Sequence, residues 1–196
     1  MPTTAVIDSC VLFQYNPSDI LLHLAAAGLF EPIWSPAIEE EWTRNLLRFL
    51  SPEKVERRRE HMSRAFPEAS CPPTHADMVA AITICRCDAQ LKDAHVTAAA
   101  LSSGANLIIT NNIRDFPPSG LTALGLKRVP PENFVISLIG APAGASAVAD
   151  ALERHRGNMR TPPRSALEYL CWLGCEIGWS RVAARLAEEE GRIVAR

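Results

Sequence analysis

Four short strand-like runs, three of them apolar, separated by helical stretches confine this chain to few folds. Ala5 to Ile7, Pro32 to Trp34, Leu107 to Ile109 and Leu126 to Val129 read as strands, and Leu107-Ile108-Ile109, ending in Thr110, is the clearest. Between them lie helical patterns: Ser18 to Gly28; Pro36 to about Leu50, opened by Ser35; Pro52 to about Ala65; Ala76 to Cys85; and Asp93 to Ser103, closed by Gly104. A proline-rich loop covers Phe66 to Thr74. Strands that alternate with helices predict an α/β fold, a central mainly parallel sheet between helix layers. Ligands of such sheets bind beyond the carboxyl ends of the strands. Asp8 and the 110–115 turn both fall at such ends.

After Gly140 the pattern changes. The segment Gly140 to Ser146 reads as a joint, and beyond it come only helical patterns, at about 146–157, 164–174 and 179–190. Thr161-Pro162-Pro163 breaks the first from the second. Trp179, Val182 and Leu186 share one helical face, as do Leu167, Leu170 and Cys171. The expected division is a domain over 1–140 and a small helical C-terminal appendage over 146–196.

Asp is scarce, seven in 196 residues, so it is not scattered as a generic surface residue. Asp8 follows the first strand, Asp93 opens an alanine-rich helix, and Asp115 follows the best strand in Thr110-Asn-Asn-Ile-Arg-Asp-Phe-Pro117. Carboxylates gathered at strand ends suit a hard divalent cation, Mg²⁺ or Mn²⁺, which prefers oxygen ligands. Such an ion bridging a phosphate points to phosphodiester chemistry. A helix-cap role is the lesser alternative for Asp8 and Asp93. His95 reads as a packing residue or a ligand. Asp19 and Asp77 read as helix-start residues.

A fourth acid comes from Glu39, Glu40 and Glu41. Their helix places Ile38, Trp42, Leu46 and Phe49 on one stripe. At about 100° per residue, Glu40 falls opposite the stripe, while Glu39 and Glu41 flank it on its two sides. Periodicity removes Glu40 and leaves two candidates.

Net charge is −2, which argues against coating nucleic acid through bulk charge. From Arg44 to Arg64, however, Arg44, Arg48, Lys54, Arg57, Arg58, Arg59 and Arg64 are opposed only by Glu53, Glu56 and Glu60. This is either a solvated face laced with i,i+4 pairs or a surface for a phosphate backbone. The six cysteines lack paired metal-ligand spacing, so reduced thiols in a cytoplasmic protein are expected rather than a zinc site. No apolar run is long enough to cross a bilayer. The opening Met1-Pro2-Thr3-Thr4 has no signal-peptide pattern.

At these residues the chain resembles the PIN-domain ribonucleases, particularly the VapC-type toxins of bacterial toxin–antitoxin pairs. The pieces are Ala5-Val-Ile-Asp8-Ser-Cys-Val-Leu12, Ser35-Pro-Ala-Ile-Glu-Glu-Glu41-Trp42, Asp93-Ala-His-Val-Thr-Ala-Ala-Ala100 and Ile108-Ile-Thr-Asn-Asn112-Ile-Arg-Asp115-Phe-Pro117, over about residues 4–138. The resemblance implies a PIN-like three-layer α/β/α fold and metal-dependent cleavage of RNA, whether tRNA, rRNA or mRNA. It favours Glu41 over Glu39, because the family glutamate directly precedes a bulky residue. Asp8, Glu41, Asp93 and Asp115 then form the metal-binding and catalytic quartet, with Ser9 and Asn112 as supporting or phosphate-orienting groups. Arg44, Arg48, Arg57 and Arg58 become candidate RNA contacts. A small antitoxin partner is implied, and a homodimer is a further expectation. Many relatives carry an extra acid just before the position of Asp93. Here that place holds Leu91-Lys92, and Lys92 would either weaken a metal site or contact phosphate.

Three other readings compete. One is a catalytically silent PIN-like scaffold. Another is a haloacid-dehalogenase-type phosphohydrolase with Asp8 as nucleophile, although Cys10 occupies the place of its usual second Asp. The third, a DNA-binding regulator on the 164–190 helices, has few basic residues in Arg181 and Arg185.

Overall fold

The structure is a computed structural model that describes residues 3–159 and 162–194, with side chains up to Glu188. Thr161 of the expected break, and Met1 and Pro2 of the opening segment, lie outside the described residues.

The chain runs β1 (Thr3–Ile7), α1 (Ser9–Leu12), α2 (Tyr15–Ala26), β2 (Phe30–Ile33), α3 (Pro36–Leu46), α4 (Pro52–Ala65), α5 (His75–Thr83), α6 (Asp88–Lys92) and α7 (Ala94–Ser103). It continues with β3 (Leu107–Ile109), α8 (Pro118–Ala123), β4 (Lys127–Val129), α9 (Pro131–Ile139), α10 (Gly144–Asn158), α11 (Ala166–Cys171) and α12 (Ser180–Val194). The four strands form one all-parallel sheet in the order β2-β1-β3-β4, flanked by helices. The α/β architecture with a parallel sheet expected from the alternation is present.

β1 and β3 are central, which explains their composition. Ala5, Val6, Ile7, Ile108 and Ile109 are fully buried, because an inner strand of a parallel sheet has no wet face. Val6 pairs with Ile33 on one side and Ile108 on the other. β2 starts earlier than expected, at Phe30, and includes Pro32. It is an edge strand, where a residue without an N–H is tolerated. α7 packs against the strands on one side and α5 on the other, Ala98 clustering with Ala81; Ala98, Ala99 and Ala100 are all fully buried, and their short side chains allow close approach. It ends at Gly104 in the left-handed region, φ 69°.

α3 stops at Leu46, short of the expected Leu50, so the apolar stripe closes there and Phe49 is 70% exposed. Ser35 caps this helix, its hydroxyl accepting from the Ile38 N–H at 3.2 Å, with Pro36 in the first turn. The short helices α1, α6 and α8 left no periodic signal because each is too brief to show one.

The described residues form two compact units: one from the residues up to Ser18 with Phe30–Pro130, the other from Asp19–Leu29 with the residues from Pro131 onward. In the second unit α10 begins at Gly144. A Cβ there would overlap the Leu138 carbonyl oxygen, so only glycine fits. Val182, Leu186 and Trp179 are buried as the periodicity predicts. The Leu167–Leu170–Cys171 stripe is not the buried face: Leu167 is 72% exposed and Cys171 is exposed. Tyr169, Trp172 and Leu173 are buried instead. Two large aromatics bury more surface than the leucines could, and the π-helical turn Trp172–Glu176 breaks the 3.6-residue phase.

Candidate metal centre

Asp8 lies where β1 leaves the sheet. Its N–H donates to the Ile109 carbonyl (3.0 Å), and its own carbonyl accepts from Val11 and Leu12, which starts α1. The backbone is thus pinned and the side chain makes no cap. The carboxylate, only 3% exposed, instead accepts from Thr110 Oγ1 at 2.6 Å and Cys10 Sγ at 3.0 Å through Oδ2. Ser9 Oγ makes a longer contact, 3.3 Å, to Oδ1. Burial, and then the charge of Asp8, push the Cys10 thiol up to about 12, so Cys10 stays a neutral donor.

Asp93 occupies the N-cap position of α7, again without a side-chain cap. Asn112 Nδ2 donates to Asp93 Oδ2 at 2.7 Å, tying the helix start to the turn after β3. The Asp93 carboxyl is pushed up to about 6, first by burial, then by the negative charges of Asp8, Asp115 and Glu41, with His95 opposing. Four acids therefore share one electrostatic environment, although they come from four separate places in the sequence. Asp115 ends a short 3-10 turn, Ile113–Asp115, with its N–H on the Asn112 carbonyl.

The helix wheel of α3 separates the glutamates. Glu41 turns toward His95, Oε2 to Nε2 3.6 Å, while Glu39 turns to Arg59, 3.6 Å from its Nη1, and Glu40 is exposed. His95 Nδ1 meets the Lys92 carbonyl at 2.8 Å, and its buried Nε2 has no hydrogen-bond partner. The exposed Lys92 thus reaches the site through its backbone.

No three of the four acids bring ligand oxygens within 4.8 Å of one another. Like charges at this density repel, and an ion with 2.0–2.1 Å bonds would draw them together. The donor set is all oxygen, partly desolvated and over-rich in negative charge, which fits a hard divalent cation.

Sequence reasoning missed Thr110 and Cys10 as partners of Asp8; the signal was Thr110 closing the best strand. Of the basic candidates, Arg44, Arg48 and Arg57 are exposed. Arg58 is not a free surface charge. Its Nη2 donates to the Leu12 carbonyl (2.7 Å) and Ser18 Oγ (2.6 Å), and its guanidinium lies over Trp42, 5.2 Å from the ring centroid. A helix wheel cannot show that a long side chain reaches back to another segment.

The PIN domain family model matches residues 3–114, more than half of the 196 residues. The chain belongs to the PIN domain family. The match contains Asp8, Glu41, Asp93 and Asn112 and stops one residue short of Asp115. PIN domains are usually nucleases and typically use divalent metals, so a nuclease-type function follows in general terms. No curated protein and no solved structure matches the chain.

Proposed function

We propose that this PIN domain is a Mg²⁺- or Mn²⁺-dependent endoribonuclease, the toxin of a type II toxin–antitoxin pair. The observation that carries the reading is that Thr110 and Asn112, just after β3, hold the Asp8 and Asp93 carboxylates at the carboxyl edge of a parallel sheet, where the charges of Asp8, Asp115 and Glu41 add to burial in raising the Asp93 carboxyl. Asp8, Glu41 and Asp93 would hold one or two ions, with Asp115 a ligand directly or through water. A bound ion activates a water and stabilises charge on the scissile phosphate. The chain's own part is orientation: Thr110 and Ser9 hold the Asp8 carboxylate, and Asn112 holds that of Asp93. Arg44, Arg48 and Arg57 are available to the RNA backbone, whether tRNA, rRNA or mRNA.

The functional division proposed is a nuclease domain over 1–140 and a helical appendage over 146–196, the latter a place for a small antitoxin to bind. A homodimer and a cytoplasmic location belong to the same proposal. Among the described residues no helix is long and apolar enough to cross a membrane.

The test is cleavage of total RNA by purified protein with Mg²⁺, Mn²⁺ or a chelator, beside Asp8→Asn and Asp93→Asn. Cuts made only by the metal-loaded parent support the reading. No cuts and no Mn²⁺ binding would replace it with a silent scaffold. Failure of any small protein from the same operon to co-purify would remove the antitoxin.

A further inference from the structure

The second compact unit carries a group of a different chemistry. Asp19 and His23 stand one turn apart on α2, and His155 faces them from α10. Each offers a ligand atom within 4.8 Å of those of the other two, the only such trio among the described residues. His155 Nε2 lies 3.1 Å from Asp19 Oδ2, and His23 Nδ1 lies 3.6 Å from Asp19 Oδ1. A tetrahedral zinc with Zn–N and Zn–O bonds of about 2.1 Å has N···O edges of about 3.4 Å. The two contacts use different oxygens of Asp19, and each is close to that edge length.

The surroundings match a nitrogen-ligand site. His155 is 97% buried, and its Nδ1 is 2.7 Å from Tyr169 Oη, a partner that fixes the ring and leaves Nε2 toward Asp19. Trp172 stacks on the ring at 6.0 Å, and His23 meets it edge-on at 4.7 Å. His23 Nδ1 lies 2.9 Å from the Asp19 carbonyl, which can only accept, so without an ion Nε2 holds the lone pair, 3.3 Å from Asn158 Nδ2. To ligate through Nδ1, His23 gives up its hydrogen bond to the Asp19 carbonyl and carries its ring proton on Nε2 instead.

We propose that Asp19, His23 and His155 bind a first-row transition cation, zinc foremost, which pins α2 to α10. Two imidazoles and one carboxylate suit such an ion rather than Mg²⁺, so this site is chemically distinct from the acidic quartet. Water completes the coordination from the half-exposed side of Asp19 and His23. On binding, each coordinating imidazole nitrogen gives its lone pair to the metal, and any proton it carried is released to solvent.

The test is a Co²⁺ titration of the chelator-treated full chain in an Asp8→Asn background, followed by its visible d–d bands, with a melting curve in Zn²⁺. Tetrahedral Co²⁺ bands saturating at one ion per chain are expected. They should be lost in His23→Ala and Asp19→Asn, which change partly exposed residues and leave the buried His155 in place. Zinc at a hundredfold excess over Kd should raise Tm by about 5–10 °C in the parent and much less in those variants. Equal Co²⁺ binding by parent and variants would overturn the site. So would no binding by the parent, which leaves Asp19, His155 and Tyr169 as a hydrogen-bonded polar core.

Discussion

Thr110 Oγ1 donates a 2.6 Å hydrogen bond to Asp8 Oδ2 across 102 positions of sequence, joining the ends of the two central strands. Because β1 and β3 are hydrogen-bonded neighbours, each ends where the other does, and the residue after each strand lies beside its counterpart. Thr110→Val keeps the shape and removes the donor. Activity should fall about 10–100-fold, the usual effect of losing a partner that orients a ligand. Stability should fall by about 1–2 kcal/mol, because Asp8 Oδ2 keeps only the weak Cys10 donor and the Asn112 N–H loses its acceptor. Thr110→Ser should restore most of both. RNA cleavage rates beside urea unfolding check the pair.

Asp8→Asn and Asp93→Asn should each lower metal-dependent cleavage by about 100-fold or more. Their Tm values should not fall below that of the parent, since each change also relieves repulsion among four carboxylates. Strong destabilisation with retained activity would show both acids to be structural.

The Asp93 carboxyl also sets a pH dependence. Its folded value, about 6, lies above its ordinary 3.8, so the metal-free folded state holds this proton more tightly than the unfolded chain. Its contribution to stability is therefore full below about pH 4 and is lost as pH rises through 6. Metal-free Asp93→Asn should be more stable than the parent at pH 7–8, and the gap should close toward pH 4. Mn²⁺ affinity of the parent should rise over the same interval, as the ligand must be deprotonated. Urea midpoints and Mn²⁺ titrations across pH test both halves.

Glu41→Gln should abolish most cleavage, whereas Glu39→Gln, which loses only a contact to Arg59, should retain it. Equal losses in the two variants would undo the assignment of Glu41.

Arg58→Ala should cost about 1–3 kcal/mol, because Leu12 and Ser18 lose a charged donor and Trp42 loses its cover. Arg57→Ala should change stability by less than about 0.5 kcal/mol. It should instead weaken RNA binding and flatten its salt dependence. Denaturation and salt-dependent binding separate the two arginines.

Local pattern was enough to read the sheet and most of its helices, because inner parallel strands must be apolar throughout and amphipathic helices repeat with their own period. Ser35 and Gly104 marked helix ends through chemistry confined to a few residues. The same local logic placed Glu40 in water and put Glu39 and Glu41 on opposite flanks of one stripe. It could not say which flank met Asp93, since that depends on how α3 and α7 pack. Phe49 and Leu167 belonged to plausible stripes, yet both are exposed, because an early helix end and competing aromatics decided burial. Arg58 read as surface charge until packing brought Leu12 and Ser18 within its reach. The partnership of Thr110 with Asp8, and of Asp19 with His155, lies at separations of 102 and 136 residues. Periodicity reports what one segment buries, whereas a site is built by the register of strands and the docking of helices far apart in the chain, and only the folded chain supplies those.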